Sequence, residues 1–321
     1  MPRTTLALTS FVSGELGAKL DGRTDFTKYN TGAKTLENFL IHPQGSATRR
    51  VGTQFIAEVK SSAAKTRLIP FEFSTVQTYI LEFGNQYMRV YKDKGQVLSG
   101  GSAFEISTPY LTAELFDIKF AQSADVMYIC HPNHAARKLS RTGHTSWTLT
   151  EIDFTDGPYL SQNTTSTTLA PSGTSGSVNI TASASLFAAT DVGRLVSFSN
   201  GRAKITNFSS ATSVTATTQD DFDNTNAVTN WKLGAFSGTT GHPSCVSFFE
   251  QRLVFAGTTA EPQTLYFSKS GDYENMTSGT NADDAMIYTI ASNQVNKIRY
   301  LKAQRTLIVG TTGGEFSVSA D

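Results

Sequence analysis

The chain has 321 residues, with 27 Lys and Arg against 27 Asp and Glu, so its formal net charge is zero. That balance, without a long basic run, argues against general nucleic-acid binding by counterion release. No apolar window is long enough to cross a bilayer as a helix. No secretory leader is read at Met1–Ser10. Two cysteines, Cys130 and Cys245, make no disulfide framework, and each is expected as a small buried apolar side chain.

Residues 1–60 read as an irregular N-terminal segment, rich in glycine and charge. Its best helix candidate is short, about Gly32–Phe39, and its first regular strand falls at Gln54–Val59. Arg23 with Asp25 or Glu15 offers ion pairs that pin an irregular chain, while the Arg49-Arg50 pair suits a carboxylate surface on a neighbour or serves solubility alone. Arg23, Asp25, Arg49 and Arg50 are the candidate assembly contacts.

Four stretches after that share one grammar: Phe71–Phe83, Ile118–Ile129, Val246–Phe255 and Ile298–Val309. Each opens on an apolar-polar-aromatic triplet, passes a short polar turn and continues as a second apolar run. A third short strand follows at Met88–Tyr91, Ala136–Leu139, Leu265–Phe267 and Phe316–Val318. A three-strand antiparallel meander written four times predicts all-β, β-propeller-like blades. Phe71 to Ile118 is 47 residues and Val246 to Ile298 is 52, so one blade takes about 50 residues. The blades occupy 61–160 and 237–321. Phe73, Phe120, Phe248 and Tyr300 hold equivalent places and are expected to be buried between blades.

Ile118 to Val246 is 128 residues, which leaves roughly 78 beyond one blade. Thr, Ser, Ala and Asn dominate there, and 161–236 is read as an inserted β-domain, a small sandwich or barrel. Its strands are expected at Val178–Ile180, Leu195–Phe198, Ala203–Ile205 and Ser213–Ala216. Phe187, Val192, Leu195, Val196, Phe198, Ile205, Phe208 and Trp231 would supply its core. A disordered linker is the alternative.

Catalytic and metal patterns are weak. His131-Pro-Asn-His134 has zinc-ligand spacing, but such sites normally need two further ligands nearby, so a polar turn is the expectation. Gly173-Thr-Ser-Gly176 is not a nucleophile elbow. The clusters Asp220, Asp221, Asp223 and Asp283, Asp284 read as solvated turns rather than a glycosidase pair or a calcium loop. Gly310–Gly314 lacks the lysine of a phosphate loop and reads as a hairpin turn. The expectation is a non-enzyme with no catalytic residue, cofactor or metal.

An ordered series of short motifs runs through the chain. It begins Phe11-x-x-Gly-Glu15, Gly22-Arg-x-Asp25, Tyr29-x-x-Gly32, Asn38, Pro43-x-Gly45 and Arg49-Arg-x-Gly-Thr53. It continues with Arg67-Leu-Ile-Pro-Phe71, Tyr79-x-Leu-Glu-Phe83, Arg89-Val-Tyr91, Ala121–Asp125, Asp156-Gly-Pro-Tyr159, Asp191-Val-Gly-Arg194, Trp231-x-Leu-Gly-Ala-Phe-Ser237, Gly241-x-Pro243, Gln251–Gly257 and Gly310-Thr-x-Gly-Gly-Glu315. In order and spacing this resembles the N-terminal half of the tail tubular, or nozzle, proteins of short-tailed bacteriophages. Val51 departs from the pattern, which tends to carry proline there.

The resemblance implies a structural virion protein of the viral tail, assembled in the host cytoplasm. Such proteins form a six-fold homo-oligomeric ring below the adaptor and portal, extend the genome-ejection channel and support fibres or spikes. DNA would be only transient cargo in the lumen, and no membrane insertion is implied. The chain stops just after a blade strand, so a short form, a fragment and completion by another polypeptide are all open. A receptor- or glycan-binding propeller module of the virion is the alternative function.

Overall fold

The computed structural model describes residues 7–319. Part of the stretch on which the leader reading falls, Met1–Leu6, lies outside the described residues. The described chain is all-β apart from three short 3-10 turns, and it divides into two compact units, 1–56 and 57–321.

In the first unit, β1 (Gly14–Glu15) pairs in parallel with β2 (Gly32–Ala33), and β3 (Phe39–Ile41) forms a hairpin with β4 (Ala47–Arg49). The helix expected at Gly32–Phe39 is absent; a 3-10 turn at Thr27–Thr31 precedes β2 instead. Gly32 explains the short approach, since a Cβ there would meet the Leu16 side chain at 2.6 Å. The strand expected at Gln54–Val59 is irregular chain.

The second unit carries four successive antiparallel meanders, the propeller-like blades. The first contains β5 (Arg67–Glu72), β6 (Thr78–Gly84) and β7 (Tyr87–Lys92). β8 (Gly95–Gln96) returns on β7, β9 (Leu98–Ser99) pairs with β10 (Ser102–Ala103), and β11 (Glu105–Ser107) adds to β7. The second blade is β12 (Lys119–Ser123), β13 (Val126–His131), β14 (His134–Gly143) and β15 (Ser146–Glu151).

Between the second and third blades lies one six-stranded sheet. It comprises β16 (Leu169–Pro171), β17 (Ser177–Ala182), β18 (Leu195–Phe198), β19 (Gly201–Ser210), β20 (Ser213–Asp220) and β21 (Lys232–Leu233), in spatial order β16-β17-β20-β19-β18-β21. The third blade is β22 (Cys245–Phe249), β23 (Arg252–Ala256), β24 (Thr264–Phe267) and β25 (Met286–Thr289). The fourth is β26 (Ile298–Ala303), β27 (Leu307–Thr311) and β28 (Glu315–Val318).

Three blades thus hold a fourth strand beyond the three read from the sequence, two of them polar (β11 and β15) and one, β25, reading Met-Ile-Tyr-Thr. β15 reads Ser-Trp-Thr-Leu-Thr-Glu, and only Trp147 is buried along it. An outermost strand covers little core and is free to be polar.

Side-chain alternation explains the stacking. On β13, Met127 and Ile129 enter a core shared with the first blade, while Tyr128 and Cys130 enter one shared with the third. On β23, Leu253 and Phe255 face the second blade's side, and Val254 and Ala256 face the fourth blade. A strand buried on both faces has no polar side to give, which is why Arg252–Ala256 is buried throughout.

The first residues of the repeated triplets, Phe71, Ile118, Val246 and Ile298, are all buried. Their aromatic partners are not, which corrects the expectation for them. Phe120 and Phe248 are half-buried on the first strands of their sheets. Phe73 is 38% exposed because β5 has already ended at Glu72, and the Arg141 guanidinium lies over its ring at 4.4 Å. Tyr300 is 43% exposed because a bulge between Ile298 and Tyr300 breaks the alternation, sending Leu301 to the core in its place. Its ring instead covers Gly310 on β27, where a Cβ would stand 2.0 Å from it.

The six-stranded sheet encloses a core of its own. Leu169, Val178, Ile180, Val196, Phe198, Ala203, Ile205, Val214, Ala216 and Leu233 come from all six strands into one cluster, so the sheet curls round them. Phe187 and Trp231 join that core, Leu195 is buried and Phe208 packs at its margin, but Val192 is half exposed beside Gly193. The chain enters and leaves this sheet side by side: Leu160 N–H donates to Leu233 O and Asn163 N–H to Trp231 O, both at 2.9 Å. A buried ion pair, Arg194 Nη1 to Asp191 Oδ1 at 2.9 Å, fixes the approach to β18, with Arg194 Nε also donating to Gly234 O.

Candidate functional site

The assembly candidates all lie in the first unit and on its surface. Arg23 grips Asp25 with two bonds of 2.7 Å. Arg50 donates from Nε to Asn38 Oδ1 at 2.6 Å, and Arg49 ends β4 exposed. Exposed ion pairs of this kind contribute little to stability. Sequence reading missed the apolar residues around them: Phe39, Leu40 and Ile41 are exposed along the whole of β3, as are Val51 and Phe55. A strand with one wet face alternates apolar and polar residues and one wet on both faces is polar throughout, so three consecutive large apolar side chains on an exposed strand were the available signal.

A second group forms where the first two blades meet. The β13–β14 hairpin turns on Pro132 and Asn133, as expected, and sets His131 opposite His134. The turn Leu111–Asp117, which leads into the second blade, brings Glu114 against them. Glu114 Oε2 lies 2.8 Å from His134 Nε2 and accepts the Leu111 N–H at 2.9 Å, while Oε1 accepts Asn133 Nδ2 at 3.1 Å.

Burial alone would raise the Glu114 carboxyl, but the Leu111 amide, His134 and Asn133 outweigh it and hold the group at about 2. His131 is 1% exposed, and burial pushes its pKa down, favouring the neutral ring. Its Nδ1 accepts the Asn133 N–H at 3.1 Å, and its Nε2 has no hydrogen-bond partner. The hydroxyl of buried Tyr110, whose ring meets His134 edge-on at 5.3 Å, is also unpartnered. His242, at the entry to the third blade, donates its N–H to Pro132 O at 3.4 Å. Glu114 precedes His134 by twenty residues, with nothing local to link them.

The other sequence candidates are structural. Asp220 pairs with Arg202 at 2.9 Å, and Asp223 accepts Asn200 Nδ2 at 2.6 Å. Asp284 accepts the Asn281 N–H within its own turn. Arg252, buried, donates to the carbonyls of Ser268, Ala282, Asp283 and Asp284 and so ties that turn to β23. Gly310–Gly314 joins β27 to β28, with Thr311 N–H bonded to Gly314 O. Cys130 and Cys245 are buried and free.

Hairpin tips of three blades converge on an open groove of about 450 Å³. Phe248 and Tyr273, edge-to-face at 4.9 Å, stand beside Gln122, Gln251, Gln304 and Arg305.

Compared with known proteins, no family model and no curated protein matches the chain. One solved structure that it resembles is described as "Crystal structure of BBS1N in complex with ARL6DN, soaked with mercury". The identity is 8% and the TM-score 0.24, over 75% of this chain and 73% of that one. A likeness that distant carries no argument, and the fold class rests on the sheet topology.

Proposed function

We propose that the chain is a structural, non-enzymatic subunit of a short-tailed phage tail. It would form a six-fold tubular ring, the nozzle, below the adaptor and portal, continue the DNA-ejection channel and support fibres or spikes. The ordered motif series first suggests this reading. The observation that carries it is how charge and apolar surface are divided. Residues 1–56 hold seven Lys and Arg against four Asp and Glu, net +3, whereas 57–321 hold twenty against twenty-three, net −3. The basic unit also exposes Phe39, Leu40, Ile41, Val51 and Phe55.

A cyclic ring needs two different complementary patches on each subunit. A basic unit with exposed apolar side chains, matched to an acidic body on the next copy, meets that need, and contiguous apolar exposure marks contact sites. The six-stranded sheet is a second contact candidate. A neutral wall without basic runs also lets DNA pass without gripping phosphate.

Negative-stain microscopy of the purified chain with its adaptor tests the reading. Rings or tubes are expected, and Arg49→Glu with Arg50→Glu should abolish them while leaving the circular dichroism unchanged. Rings that tolerate both charge reversals would remove the observation on which the proposal stands. The groove beside Phe248 and Tyr273 favours a second reading, glycan recognition, because ring faces with amide donors suit a saccharide. Isolated particles that bind a glycan array, and lose binding in Tyr273→Ala, would support it instead.

A further inference from the structure

We propose that Glu114, His131 and His134 form a binding site for a first-row divalent cation of the zinc type. The site lies at the junction of the first two blades and is independent of the assembly reading. The three residues each offer one ligand atom, and these atoms all lie within 4.8 Å of one another. A tetrahedral zinc with bonds of about 2.0–2.1 Å requires ligand atoms roughly 3.3 Å apart, so the Glu114–His134 pair, now 2.8 Å apart, opens slightly while the wider separations close. Two imidazoles and one carboxylate are the donor types such ions select over calcium or magnesium.

The independent sign of a ligand is His131. A histidine ring nitrogen buried without a partner is costly. Here Nδ1 accepts the Asn133 amide, so the neutral ring keeps its proton on Nε2, where no acceptor meets it.

On binding, His131 and His134 coordinate through Nε2 as neutral rings, and in His131 the proton moves from Nε2 to Nδ1. The Asn133 amide then faces a second donor and gives up its 3.1 Å contact. Glu114 and His134 are partly open to solvent, with side chains 16% and 22% exposed, which leaves a path for the ion and room for water as the remaining ligand. The site would join the Leu111–Asp117 turn to the β13–β14 hairpin, two elements otherwise linked here by side-chain hydrogen bonds.

The test uses the full chain, stripped with chelator and dialysed, then titrated with Zn²⁺ by calorimetry and with Co²⁺ by visible absorption. One ion per chain is expected, with a higher melting temperature and faster amide exchange at Asn133 in the loaded form. Glu114→Gln and His134→Asn should each weaken binding by more than about tenfold, since even outer-shell losses cost that much. His42→Ala, in the other unit, should change nothing. Metal-free melting of each variant shows whether it is folded. Absence of saturable binding, or binding that survives both substitutions, overturns the proposal.

Discussion

Replacing Phe255 with Ala tests how the blades cohere. Phe255 sits on β23, fully buried, and its ring meets Phe154 edge-on at 5.7 Å and Phe236 at 5.9 Å. Phe154 follows the second blade and Phe236 precedes the third, so one ring joins three segments. Removing it forfeits about 1.5–3 kcal/mol of transfer free energy, and each aromatic pair adds about 0.5–1.5 kcal/mol. Enclosure on several sides also limits collapse of the cavity. The expected loss is therefore in the upper part of the usual Phe→Ala range, about 4–5 kcal/mol.

Tyr300→Ala is the matched control. Its exposed ring covers Gly310 and its hydroxyl donates an exposed hydrogen bond to Glu315 at 3.2 Å, so the expected loss is about 1 kcal/mol or a little more. Urea unfolding followed by tryptophan fluorescence separates the two. Trp147 lies in the blade core and Trp231 in the core of the six-stranded sheet, so a Trp231→Phe background isolates the blades. A Phe255→Ala loss below about 2 kcal/mol, or one equal to that of Tyr300→Ala, would show that blade faces do not stack as argued.

Asp191→Ala should cost about 3–5 kcal/mol in the Trp231 transition, because it leaves the Arg194 guanidinium buried without its carboxylate; calorimetry or urea melts measure it. Removing 164–230 and joining the adjacent ends with a short Gly/Ser linker should leave the blades folded, provided Ala235 and Phe236 stay, since both belong to the blade core. Aggregation of that variant would contradict the inserted-domain reading. At high pH, burial and then Glu82 push Tyr91 up to about 12, and burial also raises Tyr87, Tyr110, Tyr128, Tyr159 and Tyr266 above the ordinary value. The unfolded chain then loses these protons first, so stability is intact below about pH 10 and falls as pH rises toward the folded values. Absorbance at 295 nm should show phenolate forming together with unfolding; independent titration of these tyrosines near 10 would refute the burial argument.

The sequence by itself determined the meanders. Period-two apolar runs, punctuated by polar turns, located the first three strands of each blade, because buried strands must be written in large apolar residues, though β5 begins four residues before Phe71 and β14 runs beyond Ala136–Leu139 at both ends. The same reasoning marked 161–236 as a different β-region. Two of the triplet aromatics were misplaced by local events that composition does not record, the end of β5 before Phe73 and the bulge before Tyr300, while Phe120 and Phe248 are only half-buried on their strands. The outer strands β11 and β15 were hidden because a strand that covers little core needs no apolar code, whereas β25, Met-Ile-Tyr-Thr, carried apolar residues that were not read as a strand. Only the tertiary structure decided which residues meet across long intervals: Glu114 with His131 and His134, and the entry and exit of the six-stranded sheet. Hydrophobic periodicity reports one strand's own burial, whereas a site assembled from a turn and a distant hairpin depends on how whole sheets stack.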